Sequence, residues 1–257
     1  MKTSGWIAVL LCAGLAGCGG GGGSSSGTDV GSVTPASLAA QGIYQGTTSS
    51  GKAFDLRLLE DGTYYTLVGN YAGQQFQVTQ LVQGSGTQNA ESFSSSDTRD
   101  YLYTGQVISG SLSSTVNPGA SISGTVTEGN SATTFSGTPL SGTTYDYNAA
   151  PSLSPVVGNW IMSTLQGANA SVTVNADGSF AGSTGGCSFS GQLSARSSGK
   201  NVFNAAVMFG PVPCALPNGT ANGVALSYPI AGTSQTQLLV AAVDPTRAYA
   251  TVLFGQR

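Results

Sequence analysis

Asp61-Gly62-Thr63-Tyr64 and Asp177-Gly178-Ser179-Phe180 are two versions of one motif, set 116 residues apart. An Asp-Gly pair accepts the positive φ that a tight hairpin turn demands. Just upstream of each turn, Phe54-Asp55-Leu56-Arg57-Leu58 and Ala170-Ser171-Val172-Thr173-Val174 align at the same offset. Both alternate apolar and polar residues, the period of a half-buried strand. Further back, Gly42-Ile43-Tyr44 answers to Gly158-Asn159-Trp160 at that spacing. Three ungapped matches at one offset are hard to obtain by chance, and they read as two copies of one domain.

Working outward, strands follow at short spacing. The first copy has them near 63–70, 74–83, 90–95, 101–108, 119–127 and 132–139. The second has them near 178–183, 187–195, 201–209, 220–229, 236–243 and 247–254. No segment longer than a turn shows helical periodicity with good helix formers. The expected fold is therefore all-β: two tandem, duplicated antiparallel β-barrel or sandwich domains of about eight strands each. A barrel of that size is filled largely by its own side chains and leaves room for one small ligand at most. The first, Tyr-rich domain spans 38–147 and the second 156–257. Between them, 148–155 carries Pro151 and Pro155 among small residues and forms a short, semi-rigid linker that limits the angles between the domains.

Composition narrows the partners. Charged residues are 7% of the chain, far below the usual quarter, so Ser, Thr, Gly, Asn and Gln must hydrate its surface. The net charge is −3 with no basic cluster, which argues against nucleic acid and against a polybasic grip on anionic lipid. The 40% of hydrophobic residues, regularly alternated, argue against disorder.

The start of the chain gives an address. Lys2 precedes the apolar run Trp6–Leu15, which has the length of a signal h-region and is too short to span a bilayer. It ends in Leu15-Ala16-Gly17-Cys18, which resembles the lipobox of bacterial, Gram-negative lipoproteins. The resemblance implies a signal peptide over 1–17, cleavage before Cys18 and acylation (palmitate or a similar chain) at Cys18. Two or more acyl chains anchor stably where one does not. Gly19 replaces the aspartate that favours inner-membrane retention, so the resemblance implies the outer membrane, at its periplasmic face or the cell surface. Residues 18–37, rich in Gly and Ser, form a lipidated tether with a reach on the order of 25 Å. Thr34 and Pro35 are placed to cap and start one helical turn over 34–40.

Cysteine usage agrees with export. With Cys12 removed and Cys18 lipidated, as the resemblance implies, Cys187 and Cys214 remain as a pair suited to a disulfide in an oxidising compartment. A zinc centre is the competing reading and lacks ligands, because the chain has no histidine. The Gly-x-Tyr and Gly-x-Trp openings, Gly42 to Tyr44 and Gly158 to Trp160, place an aromatic on the first strand of each copy. In this they resemble calycin-type barrels such as lipocalins and avidins, and the small barrels of transferrin-binding lipoproteins.

Catalysis finds little to work with. Without histidine the commonest general base and metal ligand are both missing. Gly23-Ser24-Ser25-Ser26-Gly27 matches the hydrolase elbow by letter only, with no strand before it and no helix after it. Asp97 and Asp100 flank Arg99 in a Ser-rich stretch, to be read as a solvated loop, a glycosidase-like pair or a cation site. The aromatics are asymmetric: eight of the ten tyrosines lie between residues 44 and 147. Tyr64, Tyr65, Tyr101 and Tyr103 are the candidate binding surface, since tyrosine gives large, rigid, amphipathic contact area; the competing reading has them filling the barrel and its rims. Consecutive Tyr64 and Tyr65 must point to opposite faces, so one should be exposed.

The expectation is a non-enzymatic lipoprotein with a binding or envelope-structural role. It has no cofactor, no metal and no catalytic residue, and its partners are the membrane, through the lipid anchor, and an unknown small ligand or protein. The alternative is a carboxylate-dependent glycan hydrolase of the cell envelope.

Overall fold

The computed structural model describes residues 38–73 and 75–257. The signal peptide, the Leu15–Cys18 box with its lipidation site and the tether all lie outside the described residues. Of the turn expected over 34–40, residues 38–40 are described, and the Gln41 N–H donates to the Leu38 carbonyl at 3.1 Å.

The first copy contains β1 (Gly42–Thr48), β2 (Ala53–Leu58), β3 (Thr63–Ala72), β4 (Gln75–Ser85), β5 (Thr87–Asn89), β6 (Ser92–Leu102), β7 (Val107–Asn117), β8 (Ser121–Glu128) and β9 (Ser131–Pro139). Apart from β4 and β5, neighbours in sequence pair antiparallel; β1 pairs β9, and β4 pairs β6 past the three-residue β5. Eight strands thus close into an up-and-down barrel. The second copy contains β10 (Gly158–Thr164), β11 (Asn169–Val174), β12 (Ser179–Thr184), β13 (Cys187–Ala195), β14 (Phe203–Phe209), β15 (Thr220–Pro229), β16 (Thr236–Val243) and β17 (Ala250–Gln256). It closes through β10 and β17. Both sheets are barrels; neither is a sandwich.

The repeat is physical as well as textual. In each Asp-Gly hairpin the aspartate Oδ1 accepts the N–H two residues on, Asp61 from Thr63 and Asp177 from Ser179, both at 2.9 Å. Gly62 and Gly178 share φ = 83°, where a side chain is disfavoured. The opening aromatics also do one job twice. The Tyr44 hydroxyl donates to the Ala40 carbonyl at 3.0 Å, and Trp160 Nε1–H donates to the Val156 carbonyl at 2.8 Å. Each ring plugs one end of its barrel with its polar tip satisfied.

Strand placement departs from expectation in one region. The Ser-rich stretch around Asp97 and Asp100 is not a loop, and the strand expected over 101–108 straddles the real turn between β6 and β7. Here β6 is continuous across a register shift between Ser95 and Thr98. Its inward positions are Phe93, Ser95, Thr98 and Asp100, all buried. Three of these four are polar, so the alternation that betrays a strand is missing from the letters.

The two barrels are packed face to face. One hydrophobic cluster draws Ile43, Tyr65, Leu67, Phe76, Leu81 and Tyr101 from the first copy and Val224, Leu226, Leu239, Ala241, Val252 and Phe254 from the second. Strand β16 is therefore buried on both faces from Gln237 to Ala242, as happens when each side of a sheet is covered. Strand β2 is treated likewise. Its outward Asp55 and Arg57 are 4% and 0% exposed, where the alternation alone implied a solvated face. Arg57 Nη2 meets Asp55 Oδ2 at 2.8 Å, and the Tyr228 hydroxyl donates to the same oxygen at 2.8 Å. The connecting chain is held too: Tyr147 donates to Glu60 Oε2 at 2.8 Å and Tyr145 to the Asn201 carbonyl at 2.6 Å.

Arg196 binds Glu60 at 2.7 Å and Asp61 at 3.0 Å across the same boundary. Burial pushes the Glu60 carboxyl up, but hydrogen bonds from Ser198, its own backbone, Arg196 and Tyr147 outweigh that and hold it at about 2. Cys187 and Cys214 form a disulfide with a sequence separation of 27. A loop of that size is worth about 3 kcal/mol through the unfolded chain it constrains. It straps the 210–219 loop to the start of β13.

Candidate functional site

The ends of the first barrel differ. One is stoppered by Tyr44, Leu58, Tyr64, Phe93 and Ile122, all buried. The other opens into a cavity of about 280 Å³. Its floor and walls are Phe54 and Leu56 from β2, Val68 from β3, Val82 from β4, Leu112 from β7 and Phe135 from β9. Phe54 and Phe135 meet edge to face at 5.6 Å between ring centres. These are the inward positions of strands whose alternation required an apolar interior.

Polar groups ring the mouth. Lys52 Nζ donates to Gln80 Oε1 at 2.7 Å, and Gln80 Nε2 donates to Asp100 Oδ2 at 2.7 Å. Asp100 is 2% exposed, and its Oδ1 is buried with no partner. Glu128, at the end of β8, stands beside it on the cavity wall. Burial is the largest force on the Asp100 carboxyl, and the Glu128 charge adds to it. The Gln80 hydrogen bond and the Lys52 charge oppose them only in part, leaving Asp100 pushed up to about 7. Burial raises the Glu128 carboxyl as well. Two close carboxyl groups in a poorly solvated mouth favour holding one proton between them.

This arrangement gives stability a pH dependence. The folded Asp100 carboxyl binds its proton more tightly than the unfolded one, whose ordinary value is 3.8. The stability this contributes is complete below 3.8 and is lost as pH rises through about 7. Asp100→Asn keeps the shape and removes the charge. It should raise unfolding free energy by about 1–3 kcal/mol at pH 8 and change little at pH 4, which urea melts at the two pH values would measure. Equal shifts at both would place the effect elsewhere than in the titration.

The matching end of the second barrel is different in kind. Its cavity of about 210 Å³ is lined by Phe189, Phe209, Tyr249 and Leu253 and by the strapped loop, with no charged side chain. Ala168 stands there at the position of Lys52.

The tyrosines singled out by composition scatter. Tyr64 points into the first barrel, where its hydroxyl meets Thr98 Oγ1 at 2.7 Å and Ser95 Oγ at 3.1 Å. Tyr65 and Tyr101 point outward yet are buried, because the second barrel covers that face; Tyr101 donates to the Arg247 carbonyl at 3.0 Å. Neither member of the Tyr64–Tyr65 pair is exposed. Tyr103 alone of the four is open to solvent, at 57%. Asp97 and Asp100 also part company. Asp97 accepts from the Ser85 N–H at 2.8 Å and pairs with Arg247 at 2.9 Å at the boundary between the barrels, while Asp100 faces the cavity. Gln80, Lys52 and Glu128 were missed in the sequence; an inward polar residue in mid-strand, at Gln80, and charged residues beside strand ends, at Lys52 and Glu128, were the signal for them.

Fold and cavity together define a tandem pair of small closed β-barrels, one end of which is open and apolar. No family model and no curated protein sequence matches the chain. Among solved structures, the crystal structure of isotype 1 transferrin-binding protein B from serogroup B Neisseria meningitidis aligns with it at 8% identity. The alignment covers 80% of this chain and 66% of that one, with a TM-score of 0.24. A likeness of that extent decides nothing about the partners of this chain.

Proposed function

We propose that this protein is an outer-membrane lipoprotein with a non-catalytic role, whose first barrel holds a small, largely apolar ligand in its open mouth. The observation that carries the reading is the 280 Å³ apolar cavity, which opens at one end and bears a few convergent polar groups at its rim. The second barrel, strapped by its disulfide and packed along β15 to β17, serves as the rigid support. Attachment rests on Leu15-Ala16-Gly17-Cys18, and the outer membrane on Gly19. Asp97 and Asp100 do not face one site, and Asp100 and Glu128 stand in hydrogen-bond contact, closer than the roughly 5 Å or more that separates the two carboxyl groups of a glycan hydrolase, which weighs against that alternative. An apolar floor also gives a sugar few hydrogen-bonding partners.

The test uses the full chain carrying Cys18→Ala, so that no detergent competes for the cavity. Loss of the protein from the membrane fraction on this substitution checks the anchor. N-phenyl-1-naphthylamine should brighten on binding, and Val126→Trp, which fills the cavity from a half-buried wall position, should weaken that binding at least about tenfold, the effect of losing about 1.4 kcal/mol. Unchanged binding in Val126→Trp would move the site out of the first barrel.

A further inference from the structure

We propose that the first barrel selects ligands carrying a protonated amine: an apolar body fills the cavity and an ammonium head docks between Asp100 and Glu128. This deepens the binding role above and rests on it. Of the side-chain polar atoms lining this cavity, Asp100 Oδ1 is the one that is both fully buried and without a hydrogen-bond partner. Gln80 uses its oxygen for Lys52 and its amide for Asp100 Oδ2, so neither Gln80 nor Lys52 donates to the other carboxylate oxygen. With both carboxyl groups ionised, Asp100 Oδ1, buried on the cavity wall beside Glu128, is an acceptor that no donor of the protein reaches. A buried acceptor in that state calls for a donor, and an ammonium offers three with a full charge.

Charge around the mouth points the same way. The titratable groups that face Asp100 are Lys52, just before β2, and Glu128 on β8; β3, β4, β7 and β9 present Thr66, Gln80, Leu112 and Thr133. Two carboxyl groups against one lysine leave the mouth short of one positive charge. When the cavity is empty, the proton held between Asp100 and Glu128 supplies it. An ammonium head takes that place and sends the proton to solvent. A carboxylate head would add a third acidic group beside the Asp100–Glu128 pair, with one lysine to offset them.

The probes are n-octylamine, 1-octanol and octanoate, titrated against bound N-phenyl-1-naphthylamine at pH 5 and pH 8 on the full chain with Cys18→Ala. Octylamine should displace the dye best at pH 8. Its affinity should fall by about tenfold or more at pH 5, where it must compete with the proton for an ion-pairing site. Octanol should bind weakly and without pH dependence. Asp100→Asn should weaken octylamine by about tenfold or more, while octanol stays within about twofold and reports an intact cavity. If Asp100→Asn loses octanol too, Glu128→Gln carries the same comparison. Octylamine no better than octanol overturns the amine selectivity and leaves a pocket for apolar ligands standing. Octanoate binding best overturns it in favour of Lys52. If the dye itself does not bind, the ligand-holding barrel fails and this inference with it.

Discussion

Arg57→Ala is expected to lower unfolding free energy by about 3–5 kcal/mol, the cost of leaving one buried charge without its partner. The pair lies between the barrels, with side chains 0% and 5% exposed. Arg57 grips Asp55 twice, through Nη1 to the carbonyl at 2.7 Å and Nη2 to the carboxylate at 2.8 Å. Removing the guanidinium leaves Asp55 with only the Tyr228 hydroxyl. The pair is itself incompletely satisfied, since Asp55 Oδ1 and Arg57 Nε have no partner. Replacing both ends should therefore be far gentler than replacing one. Asp55→Leu with Arg57→Leu should recover most of the loss, and Tyr228→Phe added to them should recover about 1 kcal/mol more by removing an orphaned hydroxyl. Guanidinium melts of the single, double and triple variants decide it. A loss under about 1 kcal/mol for Arg57→Ala would mean that water reaches this pair and that the barrels part readily.

Trp160→Ala should cost about as much, 3–5 kcal/mol, for a different reason. Trp160 is among the largest fully buried side chains and stoppers the second barrel. Its ring carries the Arg257 guanidinium 4.2 Å from the ring centre on one side and gives its N–H to Val156. Truncation opens a void, frees the Val156 carbonyl and removes the face on which Arg257 stacks. Trp160→Phe keeps most of the volume and should cost about 1–2 kcal/mol. The loss should spread. Because Leu67, Leu81, Leu226 and Leu239 belong to one cluster, amides of the first barrel should exchange faster in Trp160→Ala as well. Exchange confined to β10 to β17 would show that the barrels open independently.

Much of this fold was legible because turn chemistry and alternation agree. Asp61-Gly62 and Asp177-Gly178 marked the hairpins, and the Gly-x-aromatic openings marked the first strands. The second copy was the easier to read: the inward positions of β11, Ala170, Val172 and Val174, are apolar without exception. In the first copy Ser95, Thr98 and Asp100 turn inward and hide β6. The contact between barrels was not seen, although it had left a trace. Leu238-Leu239-Val240-Ala241-Ala242 is apolar at every step, and a strand with one wet face would alternate. Asp55 and Arg57 misled for the opposite reason, as a charged pair on a covered face looks like a solvated one. The cavity was the least legible feature, since it depends on which inward side chains stop short of each other, and no local pattern encodes that.

Closure has a consequence for behaviour at high concentration. At high local concentration a protein meets its own copies constantly, and an unpaired strand is the easiest thing for a neighbour to extend. Here both sheets return on themselves, through a short seam between β4 and β6 in one and between β10 and β17 in the other, so neither presents a full-length free edge. The strand outside the rings is β5, three residues long, too short to template another chain. The described body can therefore be packed shoulder to shoulder without seeding fibres.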